Sequence, residues 1–189
     1  MKEVTKILTA MGTGAFVIYT SLYWVQPLII FFSERFNQSP ASASLVLSMT
    51  TISIALSLYF APLISNRIGR KQTMVWALLL TSLLNAISLA IDHFYWVLFI
   101  RALIGICISG FLASVITYLK EEIDKGILGK VVGIYVGGTA LGGVLARIIS
   151  SSLIEQVDLS SLAFIIGVIT LMASIVFWLV SQTQRTSVR

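Results

Sequence analysis

The sequence predicts an all-α membrane protein of six transmembrane helices, and two observations carry that prediction. Hydrophobic residues make up 57% of the chain and charged residues 11%, with a mean hydropathy of +0.96, which is too apolar for a solvated globular surface. The apolar residues also form uninterrupted stretches of the length, about 20 residues, that crosses a hydrocarbon core. Such runs are too long and uniform for barrel strands, and helices satisfy every backbone group in lipid.

The stretches divide the chain into six spans within a single domain covering residues 1–189. We expect them near residues 7–32, 43–64, 74–91, 94–119, 131–154 and 161–180. The first is too long for the apolar region of a signal peptide, so we expect it to remain as span one. No soluble domain or linker is predicted between the spans.

The basic residues predict an orientation, because Lys and Arg near span ends favour the cytoplasm. If the N-terminus is cytoplasmic, ten of the thirteen basic residues fall on the cytoplasmic side: Lys2, Lys6, Arg67, Arg70, Lys71, Lys120, Lys125, Lys130, Arg185 and Arg189. Arg35 falls outside, and Arg101 and Arg147 lie within spans. Both termini are therefore predicted to be cytoplasmic, and the net charge of +5 needs no nucleic-acid partner to explain it.

Span one carries a polar stripe of bulky side chains. Tyr19, Tyr23 and Gln26 recur at i, i+4 and i+7, which places them on one face of a helix. Pro27 follows directly, removing a backbone donor and crowding the carbonyl of Tyr23. The stripe indicates either the wall of a substrate cavity or hydrogen bonding between packed helices.

Two arginines lie within spans, where an unpartnered charge costs at least a few kcal/mol. Arg101 and Arg147 each lie about seven residues from the outer end of their span, and the spans contain no Asp or Glu. Their partners could be backbone carbonyls, an anionic substrate or carboxylates of another chain. We include both in the candidate substrate cavity, with outward snorkelling as the alternative.

The chemistry-bearing residues of an enzyme or metal site are not grouped in this sequence. His93 lies at an outer turn, and Cys107 is a single cysteine within a span. We therefore predict no catalytic residues, no metal and no cofactor. Span five instead carries a set of glycines, Gly133, Gly137, Gly138, Gly142 and Gly143, which indicates close helix packing or a helix that flexes.

A basic turn separates spans two and three. The run from Asn66 to Lys71 resembles the signature loop between helices two and three of the major facilitator superfamily, Gly-x-x-x-Asp-Arg-x-Gly-Arg-Lys. Arg101-Ala-Leu-Ile-Gly105 resembles the Arg-x-x-x-Gly motif of helix four in that family, and the span-five glycines resemble the helix-five motif of its antiporters. The segment from Tyr23 to Leu28 is most similar to the bacterial sugar and drug efflux branch.

The resemblance implies a half-bundle built as a 3+3 inverted repeat, the first half of a twelve-helix transporter of the bacterial inner membrane. It also implies a cytoplasmic gating loop, whose residues here are Asn66, Arg67, Gly69, Arg70 and Lys71. Three positions depart from the family pattern. Pro62 replaces a Gly and Asn66 replaces an Asp in the loop motif, and Gly138 stands where helix five usually has a Pro.

A six-helix half has no opposing wall, so a transport function requires a partner. We expect a secondary transporter that moves a small solute by alternating access, in the direction of efflux. The chain would work either as a homodimer, about a two-fold along the membrane normal, or with a second six-helix half. The expected partners are thus the lipid bilayer, a small and possibly anionic solute, and that second half. The competing hypothesis is a non-transporting interaction subunit or an isolated folding half.

Overall fold

The regular elements of the protein are helices arranged in six passes. The computed structural model describes residues 2–123 and 125–182. The elements are α1 (Lys2–Tyr23), a 3₁₀ turn (Gln26–Leu28), α2 (Ile29–Arg35), α3 (Pro40–Ala43), α4 (Leu45–Ser57), α5 (Ala61–Ile68), α6 (Arg70–Ile87), α7 (Phe94–Glu122), α8 (Lys125–Leu153) and α9 (Leu159–Gln182). The predicted all-α membrane fold is confirmed.

Five stretches of the described chain are long and apolar enough to cross a membrane. They are Ile7–Arg35, Pro40–Ser57, Phe94–Glu121, Gly126–Leu153 and Leu159–Ser181. The remaining pass is α6, which has only 18 residues and begins with the polar run Arg70-Lys71-Gln72. Its polarity explains why it falls short of the other five by composition although it packs lengthwise within the bundle.

Prolines divide the first two passes. The α-helix of the first pass ends at Tyr23, and the chain continues through the 3₁₀ turn around Pro27 before α2 begins. The second pass is broken between Ser57 and Ala61, with Pro62 in the first turn of α5. Because proline has no N–H to donate and its ring crowds the preceding turn, each break leaves helix-end carbonyls without intrahelical donors.

The contacts between α6, α7 and α9 show the direction of these passes. Ser82 and Ser174 pair through their hydroxyls at 3.0 Å, and Ala86 packs on Gly167, so α6 and α9 are antiparallel. A Cβ on Gly110 of α7 would touch Thr73 and Ala77 of α6. The helix α6 therefore runs through the bundle between α7 and α9.

The helices make their main contacts in the series α8, α1, α9, α6, α7 and α4. In this series α8 runs parallel to α1, since Gly138 lies against Ala15 and Gly142 lies against Phe16. Helices α4 and α8 stand at the two ends of the series. The bundle thus has one face formed by α4, α5 and α8, and α6 and α9 lie on the opposite side.

The charged residues separate to the two ends of the bundle. At one end Arg35 donates to Asp92 at 2.9 Å, and Asp158 begins α9. At the other end Arg70 forms an ion pair with Glu121, near exposed Arg67. This separation has the form that the topology prediction requires, although the orientation itself stays a prediction. Arg185 and Arg189, which that prediction also uses, lie outside the described residues.

Asp158 caps the first turn of α9. Its carboxylate accepts hydrogen bonds from the Ser161 hydroxyl and from the backbone N–H groups of Ser160 and Ser161. These donors favour the charged carboxylate and hold the pKa of Asp158 below its usual range. The cap satisfies two of the backbone N–H groups that a helix N-terminus leaves without intrahelical partners.

The tightest described helix crossing supplies a prediction about stability. A Cβ on Gly105 of α7 would overlap the carbonyl oxygen of Thr50 in α4, whereas one on Gly133 of α8 would meet nothing within 4 Å. We expect Gly105→Ala to lower the free energy of unfolding by about 1–3 kcal/mol, because α4 must move away. Gly133→Ala is the matched control and should be neutral or stabilising by up to about 1 kcal/mol, because alanine favours helix.

The measurement is thermal unfolding of the purified protein in detergent, followed by circular dichroism. An unchanged or higher midpoint for Gly105→Ala would contradict the close crossing.

Candidate functional site

Four of the five predicted cavity residues form one connected group, which we name the Arg147 cluster: Tyr19, Tyr23, Gln26 and Arg147. Arg147 Nε donates to Gln26 Oε1 at 2.7 Å, and the guanidinium carbon lies 4.2 Å from the centre of the Tyr23 ring. The rings of Tyr19 and Tyr23 are 6.1 Å apart. Residues 121 positions apart in the chain thus meet where α1 packs against α8.

The local structure of α8 makes room for this cluster. Gly143 lies one turn before Arg147, and a Cβ there would be 3.2 Å from the Tyr23 ring, so glycine lets the ring lie close to α8. The carbonyl of Gly143 also accepts a hydrogen bond from Arg147 Nη1 at 3.2 Å. Gln26 reaches the guanidinium from the 3₁₀ turn that follows α1.

Arg147 keeps an uncompensated charge within the described chain. Its two hydrogen bonds go to an amide oxygen and a backbone carbonyl, and none of its partners among the described residues is a carboxylate. Within the same residues Nη2 has no hydrogen-bond partner. Gln26 is exposed, and Arg147, Tyr19 and Tyr23 are half-buried. The cluster can therefore contact a group outside the half-bundle, with a guanidinium held flat by a tyrosine ring.

Arg101 lies elsewhere and is bonded differently. Its side chain is 1% exposed, and its three nitrogens donate to the carbonyls of Val46 (3.0 Å), Ser21 (2.9 Å) and Leu22 (3.1 Å). The Thr50 hydroxyl donates in turn to the carbonyl of Arg101 at 3.1 Å. Of the partners considered from the sequence, backbone carbonyls are the ones present, so we leave Arg101 out of the candidate site and assign it a structural role.

The predicted gating loop lies at the other end of the bundle from the Arg147 cluster. Gly69 has φ +99°, a conformation that favours glycine, and it joins α5 to α6. Arg70 pairs with Glu121 of α7, whereas Asn66 and Arg67 are exposed. Glu121 is a partner that the sequence analysis missed. The signal for it was an acidic residue at the end of a span, on the same predicted side as the loop.

The glycines of span five divide into two sets. Gly138, Gly142 and Gly143 lie against α1 and Tyr23, as close helix packing requires. Gly133 and Gly137 are exposed, and a Cβ on either would meet nothing within 4 Å. The first set explains how α1 and α8 approach each other. The second lies on a face of α8 that no described helix covers.

The fold and the polar cluster together define a helical bundle of the membrane-transporter class. The family model described as Major Facilitator Superfamily matches residues 11–189, and the chain belongs to this family. Membership implies a multi-pass membrane transporter, and the similar Escherichia coli protein described below is by name an inner membrane protein.

Several proteins are similar over most of this chain. The inner membrane transport protein YnfM of Escherichia coli K12 is 35% identical over 183 residues, which are 97% of this chain and 43% of that protein. The uncharacterized MFS-type transporter YybF of Bacillus subtilis 168 is 36% identical over 174 residues, 92% of this chain and 43% of that one. The chain thus spans about two fifths of the length of these relatives.

A solved structure has the same fold. The POT family transporter PepTSo superimposes with a TM-score of 0.74 at 17% sequence identity, over 96% of this chain and 37% of that one. At this identity the likeness shows the fold alone. It agrees with the relatives in matching the chain to a part of a larger transporter.

The bonding of Arg101 yields a prediction that separates structure from transport. Arg101→Ala removes three hydrogen bonds from buried carbonyls, so we expect the free energy of unfolding to fall by about 3 kcal/mol. Arg101→Lys should recover only part of this loss, because an ammonium cannot reproduce the planar set of donors. Thermal unfolding in detergent measures both, with Arg35→Ala as a control for an exposed arginine.

Equal unfolding midpoints for Arg101→Ala and the wild type, with transport lost, would return Arg101 to the substrate cavity.

Proposed function

We propose that this chain forms one half of an alternating-access transporter for small solutes and that the Arg147 cluster lies on the solute path. The observation that carries the proposal is the Arg147 guanidinium, held over the Tyr23 ring with neutral partners only among the described residues. A charge at membrane depth is costly unless it serves a polar path or partner. Family membership supplies the class of function, and the cluster supplies the candidate site.

The face formed by α4, α5 and α8 is the proposed contact with a second six-helix body. Large apolar side chains are exposed along it, including Leu56 (69%) and Leu63 (60%) of the second pass and Leu141 (65%) of α8. Gly133 and Gly137 would allow close approach of another helix. The relatives, which are more than twice as long as the matched region, support a transporter larger than this half.

The second body is either another copy of this chain or a further half. A homodimer places two Arg147 clusters around one cavity, whereas a different half places one cluster opposite other residues. The mass of the detergent-solubilised particle distinguishes a pair from a single chain. The competing function, a non-transporting interaction subunit, predicts no solute flux from either assembly.

The charge of the cluster favours an anionic solute. Guanidinium groups bind carboxylates through paired hydrogen bonds, and Nη2 of Arg147 has no partner among the described residues. Efflux is the proposed direction. It is supported by the multi-drug resistance efflux pump PmrA of Streptococcus pneumoniae TIGR4, 24% identical over 166 residues, which cover 86% of this chain and 41% of the pump.

Transport of an aromatic carboxylate tests the site. In proteoliposomes, we expect Arg147→Ala to reduce benzoate flux at least about tenfold, which corresponds to the loss of about 1.4 kcal/mol of binding. Arg147→Lys should retain part of the flux, because it keeps the charge and loses the planar donors. Arg35→Ala is the control, since its ion pair with Asp92 is exposed and lies outside the cluster.

Flux of cationic ethidium serves as the opposite-charge comparison. If Arg147→Ala left benzoate flux at the wild-type level, or reduced ethidium flux equally, the cluster would not be an anion site.

The basic end of the bundle is the proposed cytoplasmic side, with both termini there and with the gating loop of Asn66, Arg67, Gly69, Arg70 and Lys71. In a Cys107→Ser background, we expect Asn37→Cys to react with an impermeant maleimide added to intact spheroplasts. Asn66→Cys should react only after permeabilisation, because the basic residues favour the cytoplasm. Both positions are exposed in the folded protein. The reverse labelling pattern would overturn the orientation.

A further inference from the structure

A groove runs between α6 and α9 on the side of the bundle opposite the proposed contact face. Its volume is about 440 Å³. Its lining residues are Lys71, Gln72, Val75, Trp76, Leu79, Ile175 and Trp178. The only contacts described above for this side are those that join α6 to α9 and α7. The groove is therefore separate from the Arg147 cluster and is not needed for joining two halves.

The lining changes in character along the helix axis. Lys71 and Gln72 lie in the first turn of α6, at the end of the bundle that also carries Arg67 and Lys120. Trp76 and Leu79 follow within about 8 to 12 Å of Lys71, from the rise of about 1.5 Å per residue. The groove thus has a cationic and polar head and an apolar body.

Two tryptophans flank the boundary between the head and the body. Trp76 is 58% exposed and Trp178, one turn before the end of α9, is 42% exposed. Tryptophan is enriched where membrane protein surfaces meet the lipid headgroups. Basic side chains just outside that level attract anionic lipid headgroups. The groove combines both features.

A second groove of about 450 Å³ lies on the other side of Trp76, between α5, α6 and α7. Its lining is mainly apolar and includes Ile64, Leu80 and Ile106, and it contains no charged side chain. Trp76 therefore stands between two neighbouring grooves, of which only the first has a cationic head. This arrangement suits a ligand with one anionic headgroup and two hydrocarbon chains.

We propose that the α6–α9 groove binds an anionic phospholipid, with the phosphate at Lys71 and Gln72 and the hydrocarbon chains alongside Trp76. The charge of Lys71 selects the headgroup, and the apolar body of the groove selects a lipid over a free anion. Lys71 then acts in lipid binding in addition to its place in the predicted loop. The proposal does not depend on the transported solute.

Native mass spectrometry of the purified protein tests this site. The protein in detergent is titrated with dioleoylphosphatidylglycerol or with zwitterionic dioleoylphosphatidylcholine, and the one-lipid complex is quantified. We expect Lys71→Gln to weaken phosphatidylglycerol binding about fivefold, the effect of one basic residue near an anionic surface. Phosphatidylcholine binding should be unchanged, and Lys71→Arg should retain the preference.

Two further measurements complete the design. Lys120→Gln removes a charge at the same end of the bundle but outside the groove, and it should leave phosphatidylglycerol binding within about twofold of wild type. Trp178→Ala should weaken both lipids, because it removes apolar contact from the body of the groove. Inorganic phosphate at millimolar concentration should not displace the lipid.

Equal effects of Lys71→Gln and Lys120→Gln would overturn the proposal, because charge at this end would then act without a specific site. Displacement by inorganic phosphate would also overturn it, in favour of a free-anion site. A variant that fails to fold is recognised by its circular dichroism spectrum, and Lys71→Arg then supplies the comparison.

Discussion

The first pass depends on the bonds between Arg101 and the end of α1. Pro27 interrupts that pass, so the carbonyls of Ser21 and Leu22 lie in the last turn of a helix that ends at Tyr23. In a lipid environment these oxygens have no water to bind, and a cation at a helix C-terminus also meets a favourable dipole. The same guanidinium reaches Val46 of α4, and one buried residue of α7 thereby joins three passes.

This arrangement separates the roles of the two intramembrane arginines. Arg101 uses all three nitrogens on backbone carbonyls and is 1% exposed, so its charge is compensated within the half-bundle. Arg147 lies over Tyr23 with two neutral oxygen partners and remains half-exposed. Two residues of one type at similar predicted depth therefore differ in chemistry. The difference makes Arg147 the better candidate to meet a solute.

The half-bundle is also asymmetric in its surfaces. Helices α4 and α8 end the series of helix contacts, and the exposed glycines Gly133 and Gly137 lie on α8. The opposite side holds the α6–α9 groove with its basic head. At the basic end, Gly69 and the ion pair of Arg70 with Glu121 hold the loop against α7. A rocking half with one face toward a partner and one toward lipid is consistent with both surfaces.

The sequence by itself determined the all-α membrane class and the family, because hydrophobic length and the loop motif are local patterns. It also singled out Tyr23, Gln26 and Arg147. Only the tertiary structure decided which arginine is enclosed, since that depends on which carbonyls a neighbouring helix leaves without donors. The packing of Gly138 against α1, with Gly137 left open, was equally undetermined, because adjacent glycines differ only in the direction each one faces after the helices pack.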